Sequence, residues 1–171
     1  MRALILSILI SILFVLQSSF FSHLQLFGAR PDLILGLVVA VAIIAGPREG
    51  ILAGLLGGFL VDLYRGTFIG LSIPGKVLTG LAVGFVPKRV YADNLLVPIF
   101  TGLVAVILDQ FTFLFLGQSF GLGQGIWISV RRFTFFGAGY TALLMPFIVK
   151  LVKTLYHEFL VRGWYKEQRI S

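Results

Sequence analysis

The fold of this chain is decided by residues 30–65, which read RPDLILGLVVAVAIIAGPREGILAGLLGGFLVDLYR. Two apolar runs are joined here by Gly46-Pro47-Arg48-Glu49-Gly50, a sequence that ends one helix and turns the chain into the next. The charged residues stand near the ends of both runs. This pattern predicts a hairpin of two helices in apolar surroundings.

The composition of the whole chain is typical of an integral membrane protein. Hydrophobic residues make up 58% of its 171 residues, charged residues make up 12%, and the mean hydropathy is +1.00. An ordinary soluble domain has about 25% charged residues. Because one membrane span takes about 20 residues, we expect a single all-α polytopic membrane domain of five to seven helices.

Six membrane spans fit the apolar runs best. They cover about residues 3–21, 31–45, 50–64, a fourth run that follows the Gly/Pro-interrupted stretch 66–75 and ends near 86, then about 94–116 and 133–149. The four glycines of residues 117–125 predict a loop between the last two spans. Residues 1–149 are therefore expected to form the membrane domain. Residues 150–171 are expected to form a basic amphipathic cytoplasmic tail.

The distribution of Lys and Arg predicts the orientation of the chain in its membrane. With the amino terminus in the cytoplasm, nine cations lie on the inner side and five on the outer side. The outer five are Arg30, Arg65, Lys76, Arg131 and Arg132. Both termini are therefore expected in the cytoplasm. Arg131 and Arg132 fit this arrangement poorly, which leaves five spans as the alternative to six.

A stripe of glycines marks the third span. Gly50, Gly54 and Gly58 recur at every fourth position, and Gly57 lies near the same side. Small residues at this spacing let another helix approach the backbone closely in a membrane. That helix belongs either to this chain or to a partner protein, and the spacing fits both.

Two of the aspartates stand near predicted helix ends. Asp32 follows Pro31 at the start of the second span, where a carboxylate interacts favourably with the helix dipole. Asp62 continues the glycine series, and Arg65 follows three residues later, close enough for an ion pair on one helical face. We expect a structural role for Asp32. For Asp62, an interfacial pair with Arg65 and a functional intramembrane carboxylate both remain open.

Asp109 differs because it lies about two-thirds of the way along the fifth span, next to Gln110. A carboxylate at this depth has a high free-energy cost unless it faces the interior of the bundle or a water-filled cavity. Either it pairs with Arg131 or Arg132, or it marks a binding cavity. The sequence favours the structural pair.

Catalytic and cofactor patterns do not occur in the sequence. The chain has no cysteine and two distant histidines, His23 and His157, so a thiolate or imidazole-rich metal site is not expected. It contains no G-x-S-x-G, H-E-x-x-H or Walker motif. The net charge of +7 is scattered between apolar runs, unlike a nucleic-acid-binding face. We expect a protein that is not an enzyme, with no cofactor and no nucleic-acid partner.

The ordered pattern from Arg30 to Gly80 resembles the bacterial rod shape-determining protein MreD family. The pattern consists of Arg-Pro-Asp, an apolar run, Gly-Pro-Arg-Glu-Gly, the glycine stripe, Asp62-Leu63-Tyr64, and Phe68-Ile69-Gly70-Leu71. The likeness in length, span number and basic tail extends over essentially the whole chain. Ile69-Gly70 and Lys76 depart from the pattern expected in that family.

The resemblance implies a non-enzymatic inner-membrane subunit of the bacterial cell-elongation complex. Members of that family work with MreC, and through it with MreB, RodA and a class B penicillin-binding protein, to direct peptidoglycan synthesis and rod shape. The resemblance also implies a fold like that of the substrate-capture subunits of energy-coupling-factor transporters. Two functions therefore compete: a membrane scaffold that binds MreC among the membrane lipids, and a capture subunit of a small-molecule transporter. The scarcity of inward-facing polar residues favours the scaffold.

Overall fold

The computed structural model of the chain describes residues 2–19, 31–66, 69–86, 96–121 and 125–156. Within these ranges the protein is built from six α-helices and no strands. The helices are α1 (Arg2–Ser19), α2 (Leu33–Ala45), α3 (Pro47–Arg65), α4 (Ile73–Gly84), α5 (Leu96–Ser119) and α6 (Gly125–Tyr156). The all-helical class that the sequence predicted is confirmed for the described residues, and six helices follow the order of the six predicted spans.

Helix α2 is the centre of the bundle, and it contacts each of the other five helices. Every residue from Leu33 to Ile43 is buried. A helix that is apolar on all sides is expected to be enclosed, and the continuous apolar sequence of α2 agrees with this position. The surrounding helices, and not lipid, therefore cover α2.

Several helix boundaries differ from the predicted ones. Helix α2 begins at Leu33, not at Pro31, because Asp32 forms the N-cap: its Oδ1 accepts a hydrogen bond of 2.8 Å from the backbone N–H of Leu35. Helix α3 begins at Pro47, three residues earlier than predicted. Proline suits the first turn of a helix because it has no N–H to leave unsatisfied there.

The glycine-rich loop between the last two helices is shorter than predicted. Helix α5 continues through Gly117 to Ser119, and α6 begins at Gly125, eight residues before the predicted Phe133. The chain leaves α5 at Gly121, whose φ of +70° is a left-handed conformation that favours glycine. Helix α6 runs on without a break to Tyr156, across the boundary expected at residue 149. The remainder of the predicted tail lies outside the described residues.

Among the residues that the structure describes, two stretches are long and apolar enough to cross a bilayer, namely Leu96–Ser119 in α5 and Gly137–Leu155 in α6. Helices α2 and α4 have 13 and 12 residues. At about 1.5 Å per residue they are about 20 and 18 Å long, shorter than a hydrocarbon core of about 30 Å. The number of complete spans therefore stays a prediction.

Candidate functional site

A buried lysine joins three helices near the amino-terminal ends of α2 and α4. The side chain of Lys76, on α4, is 1% exposed. Its Nζ lies 2.9 Å from Oδ2 of Asp32, at the start of α2, and 3.2 Å from Oδ2 of Asp109, on α5. We call these three residues the Lys76 triad. One ammonium group thus binds two carboxylates that are distant in the sequence.

Side chains from α1 and α6 complete the surroundings of Asp32. Gln17 Oε1 accepts hydrogen bonds from the backbone N–H groups of Leu33 and Ile34, at 3.0 and 3.3 Å. The backbone N–H of Asp32 donates to Thr141 Oγ1 at 3.1 Å. The first N–H groups of a helix have no partner within the helix, and here other helices supply the acceptors. The amino terminus of α2 is therefore the point at which α1, α2, α4, α5 and α6 are joined by polar contacts.

Gly75 allows Asp109 to lie directly against α4. A Cβ atom at position 75 would lie 2.5 Å from Oδ1 and 3.1 Å from the backbone oxygen of Asp109. A side chain at this position would displace the Asp109 carboxylate and crowd the backbone of α5. Glycine at position 75 and lysine at position 76 therefore act together to receive the carboxylate.

The end of α3 and the turn before α4 form a second polar group. The carboxylate of Asp62 accepts hydrogen bonds from the backbone N–H groups of Gly70, at 2.8 Å, and Ser72, at 3.0 Å. Arg65 donates from Nη1 to Ser72 Oγ at 3.1 Å, and its guanidinium lies 5.2 Å from the centre of the Phe113 ring. The spacing of Asp62 and Arg65 suggested an ion pair between them. In the structure each of these residues instead bonds to a different partner. Both residues hold the α3–α4 turn in place.

The glycine stripe of α3 is covered by helices of the same chain. Cβ atoms built at Gly50, Gly54 and Gly58 would lie 2.5–2.6 Å from backbone atoms of α4, namely Gly80 O, Lys76 O and Ile73 Cα. A Cβ at Gly57 would lie 2.6 Å from Cγ2 of Ile34, on α2. Of the two interpretations that the sequence left open, the structure supports packing within the chain. These glycines are therefore not free to receive the helix of a partner.

The structure brings Asp32 and Asp109 together on Lys76, an arrangement that the sequence did not predict. The sequence analysis does not pair Lys76 with Asp109, although a lysine inside one apolar helix and an aspartate inside the next are a recognisable signal for an intramembrane pair. Arg131 and Arg132, the partners considered for Asp109, belong to α6. Their side chains lie outside the described residues.

The arrangement is suited to holding helices together. Each carboxylate of Asp32, Asp62 and Asp109 accepts a hydrogen bond from this chain. Within the described ranges, no group of three or more His, Cys, Asp or Glu residues could hold a metal ion. In lipid, polar contacts between helices replace the hydrophobic drive that water supplies to soluble proteins.

Comparisons with known proteins identify the family of the chain. No curated protein and no solved structure gives a match. A family model described as rod shape-determining protein MreD matches residues 1–155 of the 171 residues. The match includes the triad, the glycine stripe and all of the described bundle except its last residue, Tyr156. The chain therefore belongs to the MreD family of rod shape-determining proteins.

Proposed function

We propose that this protein is a non-enzymatic scaffold subunit of the cell-elongation complex in the bacterial inner membrane. In this role it binds MreC directly, and it is linked through the complex to MreB, RodA and a class B penicillin-binding protein. It thereby helps to direct peptidoglycan synthesis in rod-shaped growth. Membership of the MreD family supports the part of this proposal that concerns cell shape.

The single observation that carries the scaffold role is the internal pairing of the Lys76 triad. A subunit that captures a small polar molecule needs polar groups that are free to bind it. Here the ammonium of Lys76 is occupied by Asp32 and Asp109, at 2.9 and 3.2 Å. These groups stabilise the arrangement of the helices, as expected for a protein whose task is to present a fixed surface.

The surfaces left for a partner are apolar. On α5, exposed hydrophobic side chains recur at helical spacing, and they include Phe100, Val104, Ile107, Phe111 and Phe115. A second apolar face on α3 is formed by Leu52, Leu55, Phe59 and Leu63. Faces of this kind suit the single transmembrane helix of a partner such as MreC, because helices associate in lipid by close van der Waals packing.

One observation favours the alternative function, a capture subunit of a small-molecule transporter. Thr79 lies one turn along α4 from Lys76, is 1% exposed, and its Oγ1 has no hydrogen-bond partner among the described residues. A buried hydroxyl without a partner is the kind of group that a bound ligand or water would satisfy. A single hydroxyl is a weak basis for ligand recognition, so we favour the scaffold.

The two functions are distinguished by purification of the full-length protein from its native membrane in mild detergent, followed by identification of the proteins that come with it. The scaffold proposal expects MreC. An ATPase pair with a transmembrane coupling subunit, in the absence of MreC, would overturn the proposal in favour of the transporter.

A further inference from the structure

The Lys76 triad contains more negative than positive groups. The carboxylates of Asp32 and Asp109 share the ammonium of Lys76, at 2.9 and 3.2 Å. With all three groups ionised, two negative charges and one positive charge give the triad a net charge of −1. A buried charge without a partner is so unfavourable that the group changes its protonation state instead. The triad therefore needs one further positive charge.

Helices α2, α4 and α5 do not supply this charge. Lys76 is the only charged residue within α4, and Asp109 is the only charged residue within α5. The sequence of α2 contains no charged residue after its N-cap, Asp32. The three helices that meet at the triad therefore contribute its own three charges and no others.

Helix α3 adds no net charge either. Asp62 and Arg65 lie at its end, next to the start of α4. Asp62 accepts the backbone N–H of Ser72, and Arg65 donates to the Ser72 hydroxyl. Arg48 and Glu49 lie at the opposite end of α3, in its first turn. Each of these pairs has one positive and one negative residue, so neither pair changes the balance at the triad.

The cations in the described parts of α1 and α6 are far from the triad. On α6, Lys150 follows Thr141 by nine residues, or about 14 Å along the helix. On α1, Arg2 precedes Gln17 by fifteen residues, or about 22 Å. Tyr140, next to Thr141, has no positive charge in either of its protonation states. Within these described parts, α1 and α6 thus bring polar contacts to the triad and no balancing cation.

The surroundings of the two carboxylates differ. Asp32 Oδ1 accepts the backbone N–H of Leu35 at 2.8 Å, at the positive end of the α2 dipole, and its side chain is 24% exposed. Asp109 lies within α5, and its side chain is 10% exposed. Its Oδ1 lies against Gly75, where a Cβ would be 2.5 Å away. The ionised form is therefore favoured at Asp32, and the neutral form is favoured at Asp109.

Thr79 provides a polar neighbour for a neutral carboxyl group. Gly75 and Thr79 are four residues apart on α4, so they lie on one face of the helix, and Asp109 Oδ1 lies against this face. Thr79 is buried, and its Oγ1 has no hydrogen-bond partner among the described residues. A hydroxyl can accept the O–H of a protonated carboxyl group, directly or through one water molecule. We propose that the Lys76 triad binds one proton from the medium, held on the carboxyl group of Asp109, while Asp32 stays ionised.

The proposal is tested by infrared spectroscopy of the full-length protein in mild detergent at neutral pH. A protonated carboxyl group has a C=O stretching band that ionised carboxylates lack. The band shifts in D₂O, whereas the ester band of a retained lipid does not. We expect a band that corresponds to one carboxyl group per chain, and Asp109→Asn should abolish it. The matched control is Asp62→Asn, which replaces another buried aspartate and should leave the band unchanged.

The pH dependence of reversible unfolding in detergent gives a second measurement. An aspartate in an unfolded chain is ionised at neutral pH, so the folded protein would bind one proton more than the unfolded chain. Stability then decreases as the pH rises, because the unfolded state binds fewer protons. Around neutral pH, the ratio of folded to unfolded protein should decrease by about tenfold more per pH unit in the wild type than in Asp109→Asn.

Three outcomes would overturn the proposal. The first is a wild type without the protonated carboxyl band. If the band then appears in Arg30→Gln, Arg131→Gln or Arg132→Gln, whose side chains lie outside the described residues, that arginine supplies the balancing charge. The second is a band that persists in Asp109→Asn and is lost in Asp32→Asn. The third is an equal pH dependence of unfolding in the wild type and in Asp109→Asn.

Discussion

Lys76 Nζ lies 3.2 Å from Oδ2 of Asp109, and both residues are almost fully buried. The same ammonium lies 2.9 Å from Asp32 Oδ2. A buried ion pair contributes little net stability, because desolvation of the charges offsets their attraction. Removal of one partner is costly, however, because it leaves a buried charge without compensation. The triad therefore makes the position of α4 depend on the side chain of Lys76.

We expect Lys76→Met to destabilise the protein strongly. The substitution leaves the carboxylates of Asp32 and Asp109 without their shared cation, and breaking a buried pair costs about 3–5 kcal/mol. Thermal unfolding in detergent should show a large decrease in Tm. Lys153→Met, at an exposed position of α6, is the control and should leave Tm nearly unchanged. Equal Tm values for the wild type and Lys76→Met would contradict the structural role of the triad.

Asp109→Asn should destabilise the protein less than Lys76→Met does. Lys76 keeps its contact with Asp32 in this variant, and the Asn side chain retains an oxygen that can accept from the ammonium. The double variant Asp109→Asn with Lys76→Met should lower the free energy of unfolding by less than the sum of the decreases in the two single variants, because the residues are in contact. The measurement is a double-mutant cycle on the free energy of unfolding in detergent. Additive effects would show that the two residues do not interact.

The sequence predicted the order and approximate positions of the helices, because continuous apolar runs and the Gly46-Pro47 turn are local signals. It did not predict which charges meet. The pairing of Asp109 depends on the distance between α4 and α5, and that distance depends on Gly75, which has no apparent importance in the sequence. From the sequence alone, a cation on another helix, such as Arg131, is an equally valid partner for Asp109.

The glycine stripe is a second feature whose partner the sequence could not predict. A helix of the same chain and a helix of a partner both require small residues at every fourth position. The sequence therefore could not distinguish internal packing from partner binding. The structure distinguishes them because α4 is short and lies directly on Gly54, with Lys76 O only 2.5 Å from the position of a Cβ.

Gly54→Leu should separate α3 from α4 and lower the abundance of the folded protein. A leucine side chain would meet backbone atoms, which cannot move aside as a flexible side chain can, and overpacking of this kind costs about 1–3 kcal/mol or more. Gly139→Leu is the control, since a Cβ at this helical position meets nothing within 4 Å. The molecules of Gly54→Leu that do fold should still co-purify with MreC. Normal abundance with loss of MreC would restore the hypothesis that the stripe binds a partner.

Both termini are expected in the cytoplasm, because nine of the fourteen cations lie on the inner side in that orientation. A reporter that is active only in the periplasm should be inactive when it is fused after Ser171. The same reporter inserted after Arg30, in a predicted outer segment, is the positive control. Periplasmic activity at Ser171 would contradict the six-span arrangement and favour five spans.

Asp62→Ala should loosen the turn between α3 and α4. Its carboxylate accepts from the backbone N–H groups of Gly70 and Ser72, at 2.8 and 3.0 Å. Loss of the acceptor for a buried donor costs about 1–3 kcal/mol. Trypsin cleavage after Arg65 in detergent should become faster, whereas cleavage after Arg48, at the opposite end of helix α3, should keep its rate and serves as the internal control. Asp62→Asn should have a smaller effect, because one side-chain oxygen remains. If Asp62→Ala left the cleavage rate after Arg65 unchanged, Asp62 would not be the residue that holds this turn.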